Sequence, residues 1–201
     1  GGAYFVKKFL EAENAGGRPS VLRADFAQYS DERVRLEDYG AVILDGPPTG
    51  ARWTKAVRNY LFSGGGVFLV AVPGGHESSA REQGAFWEAF GLKSGGIAEG
   101  KFYLGQARDA AFFSGKDFSG FDLSRTAAGR LLLTGDTRDF EAPWSFRDEA
   151  GGVYPALLYK RAGKGRLLVW TSSFDLAFTD LPAKPVFAPF MAHNLKKLFG
   201  L

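Results

Sequence analysis

The fold is decided by residues 39–75, which read YGAVILDGPPTGARWTKAVRNYLFSGGGVFLVAVPGG. Two continuous apolar runs stand out in this stretch, AVILD at 41–45 and VFLVAV at 67–72. Strands that are apolar on both faces are typical of a parallel sheet covered by helices on both sides. The segment between them, residues 51–63, repeats apolar side chains at helical spacing and is followed by three glycines. The order strand, helix, strand therefore predicts an α/β domain.

The flanking segments extend this pattern toward both ends of the chain. Residues 3–14 and 82–92 carry apolar side chains at helical spacing, and residues 20–26, SVLRADF, are short and rich in strand formers. Alternation of strands with helices is the signature of a mostly parallel sheet with right-handed crossovers. We therefore expect a mostly parallel sheet in this half of the chain.

The second half of the sequence changes character. Residues 100–105 and 130–136 read as strands, and residues 153–173 read as a hairpin with a four-residue loop, Ala162-Gly163-Lys164-Gly165. A helix of about a dozen residues follows within 181–201. We find no repeat and no linker, so residues 1–201 are predicted to form a single domain with a C-terminal hairpin and helix.

Composition excludes several classes of function. The 201 residues include no cysteine, which rules out disulfides, thiolate metal sites and a cysteine nucleophile. The net charge of +3 is too small a surplus to predict a nucleic-acid partner. The two histidines, His76 and His193, are too few for a histidine-rich metal site, and we expect no metal or cofactor. No run approaches the roughly 18 apolar residues that cross a bilayer.

Polar residues follow three of the predicted strands. Strand ends of a parallel sheet meet at one edge, where α/β proteins bind ligands. We therefore predict a shallow ligand-binding pocket formed by seven residues: Asp45, Gly46, Gly74, Gly75, His76, Ser172 and Ser173.

Several alternatives stay open for this pocket. Asp45 and Ser172 could instead cap turns or helices, and His76 could lie on an exposed loop. Ser172, His76 and either Asp45 or Asp175 have the residue types of a Ser-His-Asp catalytic triad. No G-x-S-x-G turn in the sequence supports an activated serine, however. We accordingly predict no catalytic residue. The glycines at 73–75 match neither common phosphate-binding pattern.

Three segments carry a family resemblance: 39–75, then LLYKRAGKGRLLVWTSSFDLAFTDLP at 157–182, then KPVFAPFMAHNLKKL at 184–198. Together they resemble class I glutamine amidotransferase-like domains, and in particular the C-terminal module of BatA-type bacterial membrane proteins. The resemblance implies a three-layer, flavodoxin-like α/β fold with a mostly parallel sheet. It also implies the soluble portion of a membrane-anchored bacterial envelope protein, with the periplasmic side favoured.

The sequence departs from the amidotransferase pattern where that family does its chemistry. The nucleophilic cysteine is absent, and residues 171–175, TSSFD, stand where the family has its His-x-Glu pair. The resemblance therefore implies a non-catalytic module. Its partner would be a protein within a membrane complex or a small ligand, and it would meet the membrane only through segments outside this chain. The alternative is a ThuA-like hydrolase or sugar-processing enzyme that uses His76 and carboxylates; a structural spacer without a ligand is a third possibility.

Domains of this family begin with a strand, whereas this sequence begins with the predicted helix at 3–14. We expect a fragment of a longer chain, and a gap in mid-sheet would leave costly unpaired backbone groups. Three segments could fill the place of the missing first strand: an apolar strand upstream of Gly1, a strand from a neighbouring molecule, or SVLRADF at 20–26 in a central position.

The missing thiol generates a first prediction. Glutamine hydrolysis in this fold requires a thiolate nucleophile, so the purified protein should release no ammonia from glutamine. The measurement is ammonia release compared with a heat-denatured sample of the same preparation. Release above that background would contradict the prediction.

Overall fold

The computed structural model of the chain describes residues 2–15, 25–27, 33–71, 80–106 and 122–200. Four α-helices and seven strands form the described part of the fold. The helices are α1 (Gly2–Ala15), α2 (Ala51–Ser63), α3 (Ala80–Ala89) and α4 (Phe187–Phe199). The strands are β1 (Ala41–Asp45), β2 (Gly66–Val70), β3 (Ser94–Gln106), β4 (Ala127–Thr134), β5 (Glu141–Asp148), β6 (Val153–Ala162) and β7 (Gly165–Trp170).

The elements of the deciding stretch lie close to where the sequence predicts them. Strand β1 and helix α2 have the predicted bounds, and β2 begins one residue before the predicted run. Helix α2 ends because Gly64 takes a left-handed conformation, with φ of 118°, and its N–H donates to the carbonyls of the last turn. The interpretation of the triple glycine as a helix stop is therefore confirmed.

The seven strands form one mixed sheet in the order β1-β2-β7-β6-β5-β3-β4. Only the pairs β1/β2 and β2/β7 are parallel; the other four pairs are antiparallel. The prediction of a mostly parallel sheet is thus wrong. The physical reason for two of these pairs is that β5, β6 and β7 follow one another through short turns, which allow only antiparallel neighbours. Strand β3 lies between β5 and β4 and is antiparallel to both. Strand β5 was not predicted from the sequence at all.

The predicted hairpin is formed by β6 and β7, with a tighter turn than expected. Ala162 pairs with Gly165, so Gly163 and Lys164 alone make the turn, and Gly163 has φ of 62°. The hairpin lies directly against the end of α2. A Cβ atom on Gly165 would lie 2.3 Å from the carbonyl oxygens of Leu61 and Gly65, so only glycine fits there.

Helices cover both faces of the sheet at β2. Phe68 and Val70 point into a hydrophobic cluster with residues of α1 and α4. Val67 and Leu69 point into a second cluster with residues of α2 and α3. The alternation follows from the two-residue period of a strand, and it explains why the run at 67–72 is apolar without interruption.

The first of these clusters is dominated by aromatic rings. Phe190 of α4 lies 5.1 Å from the ring of Trp170 and 5.3 Å from that of Trp144, both edge to face. Phe174 stacks on Trp170 at 5.8 Å and meets Phe68 edge to face at 5.9 Å. Such ring pairs add about 0.5–1.5 kcal/mol each beyond the burial of their area.

The sheet curls until its far strand, β4, returns to the chain that leaves β7. We call residues 171–180 the closing segment. The N–H of Leu132 in β4 donates to the carbonyl of Thr171 at 2.7 Å, and that of Gly129 donates to Phe178 at 2.6 Å. Farther along, the N–H of Asp180 donates to the carbonyl of Ala127 at 3.1 Å. Strand β4 is therefore paired with β3 on one side and with the closing segment on the other.

The described sheet contains no gap. Its strands are continuous from β1 to β4, so none of the three predicted ways of filling a mid-sheet place is needed between them. Strand β1 lies at one edge, with β2 as its only partner among the described strands. In the stretch 20–26, Asp25 and Phe26 are outside any strand, and the preceding residues lie outside the described part. The upstream strand stays a prediction, with the free edge of β1 as its place.

No helix in the described part of the chain has both the length and the apolar character needed to span a bilayer.

The aromatic cluster gives the fold its sharpest stability test. Trp170 and Phe68 are both fully buried, so replacing either by Ala should lower the free energy of unfolding by roughly 3–5 kcal/mol. The matched control is Phe62→Ala, because that ring is 53% exposed and should cost within about 0.5 kcal/mol. Urea unfolding followed by circular dichroism measures all three. Equal stability of the three variants would show that the core lies elsewhere.

Candidate functional site

The three parallel strands end level with one another. Asp45, Val70 and Trp170 are register partners at the last positions of β1, β2 and β7. At about 4.8 Å between neighbouring strands, the ends of β1 and β7 lie about 10 Å apart. We call this end of the three strands the carboxyl edge. Asp45 and the start of the closing segment both lie there. Gly74, Gly75 and His76 lie outside the described residues, so their place relative to this edge stays a prediction.

The two serines of the predicted pocket are buried and already engaged. Ser172 is fully buried, and its hydroxyl donates to the carbonyl of Arg130 in β4 at 2.7 Å. Ser173 is also fully buried, and its hydroxyl accepts from the N–H of Asp175 at 3.0 Å. The carbonyl of Ser173 accepts from the indole of Trp170 at 3.2 Å. Both side chains thus hold the backbone of the closing segment: Ser173 bonds within the segment itself, and Ser172 bonds across to β4 and caps neither a turn nor a helix.

Asp45 differs from the serines because one of its oxygens is buried without a partner. Its Oδ1 atom is inaccessible to solvent and has no hydrogen-bond partner in the described part of the protein. Burial raises the pKa of the Asp45 carboxyl above its usual value, and the nearby charge of Asp175 acts in the same direction. The backbone N–H of Ala3 opposes this shift in pKa. A half-buried carboxyl with a raised pKa at a strand end is a recognised marker of functional sites.

Local structure fixes the position of Asp45 on both sides. Gly46, which follows it, is buried and has φ of 94°, a conformation that favours glycine. The N–H of Gly46 donates to the carbonyl of Val70 at 2.9 Å and so extends the pairing of β1 with β2. Helix α1 begins beside the carboxyl, as the contact with Ala3 shows. Sequence reasoning missed this neighbour because nothing in the local pattern tells where α1 starts relative to β1.

The second carboxylate of this edge, Asp175, is tied into the closing segment. Its Oδ1 atom accepts from the N–H of Ala177 at 3.0 Å. The described residues contain no group of three or more histidine, aspartate or glutamate side chains that could hold a metal ion. They also bring no hydroxyl nucleophile within reach of a base at this edge, since both serine hydroxyls bond to backbone. What this arrangement offers is an acceptor, Asp45, for a hydrogen-bond donor.

Neither the known family models nor the curated proteins include a match to this chain. Solved structures do match. A cytoplasmic protein of Salmonella typhimurium LT2 aligns over 98% of this chain and 87% of its own, with a TM-score of 0.70 and 9% identity. A ThuA-like protein of Bacteroides uniformis aligns over 98% and 84%, with a TM-score of 0.62 and 14% identity.

A β-galactosidase of Rahnella sp. R3 is similar over 84% of this chain, with a TM-score of 0.57 and 14% identity. The chain spans only about a quarter of that enzyme, 24% of its length. At these identities the likeness shows the fold alone. It supports the α/β fold of the amidotransferase-like kind that the sequence resemblance implies, although the sheet is mixed. None of these three structures bears on the BatA-type resemblance.

The raised pKa of Asp45 generates a prediction with a defined sign. Because burial disfavours the charged carboxylate, stability is lost as the pH rises from about 4 through the raised pKa. Asp45→Asn should therefore raise the melting temperature at neutral pH, and the gain should vanish in acid. The measurement is a melting curve at a series of pH values.

Asp148 supplies a control of opposite sign. The hydroxyl of Tyr154 donates to its carboxylate at 2.9 Å and the N–H of Gly152 at 2.7 Å, and these bonds lower the pKa of Asp148. Asp148→Asn should thus lower the melting temperature at neutral pH, with the loss disappearing in acid. If both substitutions shift stability in the same direction, the account of Asp45 is wrong.

Proposed function

We propose that this chain is a non-catalytic, class I glutamine amidotransferase-like module that binds a small ligand or a protein partner at its carboxyl edge. The observation that carries the proposal is the state of Ser172 and Ser173. Both are buried and bonded to backbone, in a sequence without any cysteine. An activated nucleophile needs an accessible oxygen or sulfur atom beside a general base, and these two hydroxyls have neither.

The hydrogen bond of Ser172 also opposes a catalytic role. Its proton is directed at the carbonyl of Arg130 and not at a base. Turning the hydroxyl toward a substrate would leave that carbonyl of β4 without this donor and would loosen the closing segment. A buried polar group left unpaired costs about 1–3 kcal/mol. Catalysis by Ser172 would therefore work against the contact that closes the sheet.

Asp45 is the group with which such a module would bind. Its Oδ1 atom is buried and has no donor among the described residues, so a ligand must displace the groups that cover this atom before it can donate to it. The cost of about 1–3 kcal/mol for the unpaired oxygen is then recovered. The fitting ligand class carries an N–H or O–H donor, such as an amine, an amide or a sugar hydroxyl.

The cellular setting belongs to the same proposal. The resemblance to BatA-type proteins supports the soluble portion of a membrane-anchored bacterial envelope protein, with a flavodoxin-like arrangement in three layers and the periplasmic side favoured. The partner would then be a protein of the same membrane complex or a small ligand. The likeness to a part of much longer β-galactosidase chains supports a fold that is used as a module within larger proteins.

A second candidate is a ThuA-like hydrolase or sugar-processing enzyme. It is favoured by the likeness to a ThuA-like protein over 98% of this chain. In that case Asp45, with its raised pKa, would act as a general acid or base, and His76 would be its partner. The two candidates share Asp45 and differ in whether a bound compound is turned over.

One experiment tests the proposal and separates the candidates. Small amines, amides and sugars are screened by the shift they cause in melting temperature, with the wild type, Asp45→Asn and Glu141→Gln. A ligand at a hundred times its Kd stabilises the folded state by about 2.7 kcal/mol. We expect a shift of several degrees in the wild type that is lost in Asp45→Asn. Glu141 is exposed and lies on β5, so Glu141→Gln should keep the shift.

Turnover is measured on the same compounds and on chromogenic glycosides and esters. We expect none above a heat-denatured sample. Hydrolysis that is abolished both by Asp45→Asn and by His76→Ala would overturn the non-catalytic proposal in favour of the enzyme. A ligand shift that Asp45→Asn leaves unchanged would remove the carboxyl edge as the binding site.

A further inference from the structure

The opposite end of the parallel strands brings together cations and exposed aromatic rings. Helices α2 and α4 both end there, against the turn between β6 and β7. The N–H of Lys164 in the turn donates to the carbonyl of Phe62 at 3.4 Å, and the Arg166 guanidinium donates to the carbonyl of Leu198 at 3.4 Å. We call this surface the basic–aromatic edge. Its exposed members are Arg58, Phe62, Arg161, Lys164, Lys196 and Phe199.

The cations of this edge are not neutralised by neighbouring carboxylates. Arg161 and Arg166 are directly opposite each other in the β6/β7 register, a like-charge pairing that disfavours the hairpin. The guanidinium of Arg58 lies over the ring of Phe62 at 5.6 Å. Among the described residues, these cations, Lys164 and Lys196 have no carboxylate within ion-pair distance.

A purely structural explanation accounts for only part of this charge. The carboxyl ends of α2 and α4 each carry about half a negative charge and favour nearby cations. Glu37 and Asp38, in the short 3-10 helix Leu36–Asp38 that contacts α2, add two carboxylates. Against the five cations Arg58, Arg161, Lys164, Arg166 and Lys196, a surplus of roughly two positive charges remains.

The aromatic rings distinguish this edge from an ordinary solvated surface. Phe62 is 53% exposed and Phe199 is 38% exposed, and both lie at the ends of their helices. Large apolar side chains beside lysine and arginine are the pattern of proteins that lie on a membrane interface, with rings in the headgroup region and cations at the phosphates. A nucleic-acid site would call for a larger basic face than this chain carries.

We infer that the basic–aromatic edge docks on an anionic membrane surface, which departs from the expectation that only segments outside this chain meet the membrane. The inference goes beyond the proposed binding function and does not depend on it, because it concerns the other end of the strands. A five-residue strand such as β2 spans about 17 Å. The carboxyl edge with Asp45 therefore faces away from the bilayer and stays open to a ligand or partner while the chain is docked.

Sedimentation with lipid vesicles tests this docking. The probes are vesicles of phosphatidylglycerol and phosphatidylcholine, vesicles of phosphatidylcholine alone, and duplex DNA as a second polyanion. We expect binding to the anionic vesicles only, and its loss in 0.5 M salt. Each Lys or Arg near such a surface contributes roughly fivefold in partition. Arg58→Glu with Lys164→Glu should therefore weaken binding at least tenfold, and Phe62→Ser should weaken it at unchanged charge.

A control variant replaces one cation and one exposed apolar side chain elsewhere on the surface. Arg147 and Val153 are exposed register partners in β5 and β6, at the end of β6 remote from Arg161. Arg147→Glu with Val153→Ser should leave vesicle binding unchanged, and circular dichroism confirms the fold of each variant. Equal loss in this control and in the edge variants would overturn the inference, as would absence of binding to anionic vesicles. Binding to DNA but not to vesicles would assign the edge to another polyanion and overturn it as well.

Discussion

The hydrogen bonds between the closing segment and β4 are the constraint on which the rest of the structure depends. An unpaired strand at the end of a sheet is a liability, because its backbone groups invite another chain. Residues 171–180 satisfy that edge of β4 from within the molecule, and the hydroxyl of Thr179 adds a bond to the carbonyl of Ala127 at 3.1 Å. The same segment carries Phe174 into the aromatic cluster and delivers the chain to α4. Residues 171–180 thus determine the curl of the sheet, the packing of the aromatic cluster and the position of the C-terminal helix.

This constraint also determines what is left for function. In the sequence, Ser172 and Ser173 at the end of β7 are candidates for binding a ligand. In the structure, their hydroxyls instead bond to backbone and hold the closing segment in place. After β1 the chain turns at Gly46, and one oxygen of the Asp45 carboxyl has no donor in the described part of the chain. The two ends of the parallel strands therefore differ in chemical character. One end holds a buried acceptor, and the other holds exposed cations and rings.

Local pattern was sufficient to predict helices α1, α2 and α4, the two apolar strands and the β6/β7 hairpin, because each of them repeats one period over its whole length. Strand direction was not predictable, because a strand carries no local record of which neighbour it pairs with. Strand β5 was missed since its sequence, EAPWSFRD, mixes Pro143 with charged residues and still buries Trp144 and Phe146. In the candidate site, the positions of Asp45 and Ser172 at strand ends followed from the sequence. Their contrasting environments did not, because these depend on contacts with residues such as Arg130 and Ala3 that are distant in the chain.

The place of β2 in the sheet has a consequence for how the protein is made. Its inner neighbour, β7, lies a hundred residues later in the chain, as the pairing of Gly66 with Arg166 shows. During synthesis at about 5–20 residues per second, the nascent chain carries β2 with one edge unpaired for several seconds. Through that interval Phe68 and its apolar neighbours lack the strand and the helix that cover them in the finished domain. One edge of β2 therefore stays unpaired until residues 165–170 have been made, and the apolar face of this strand waits for the same stretch of chain.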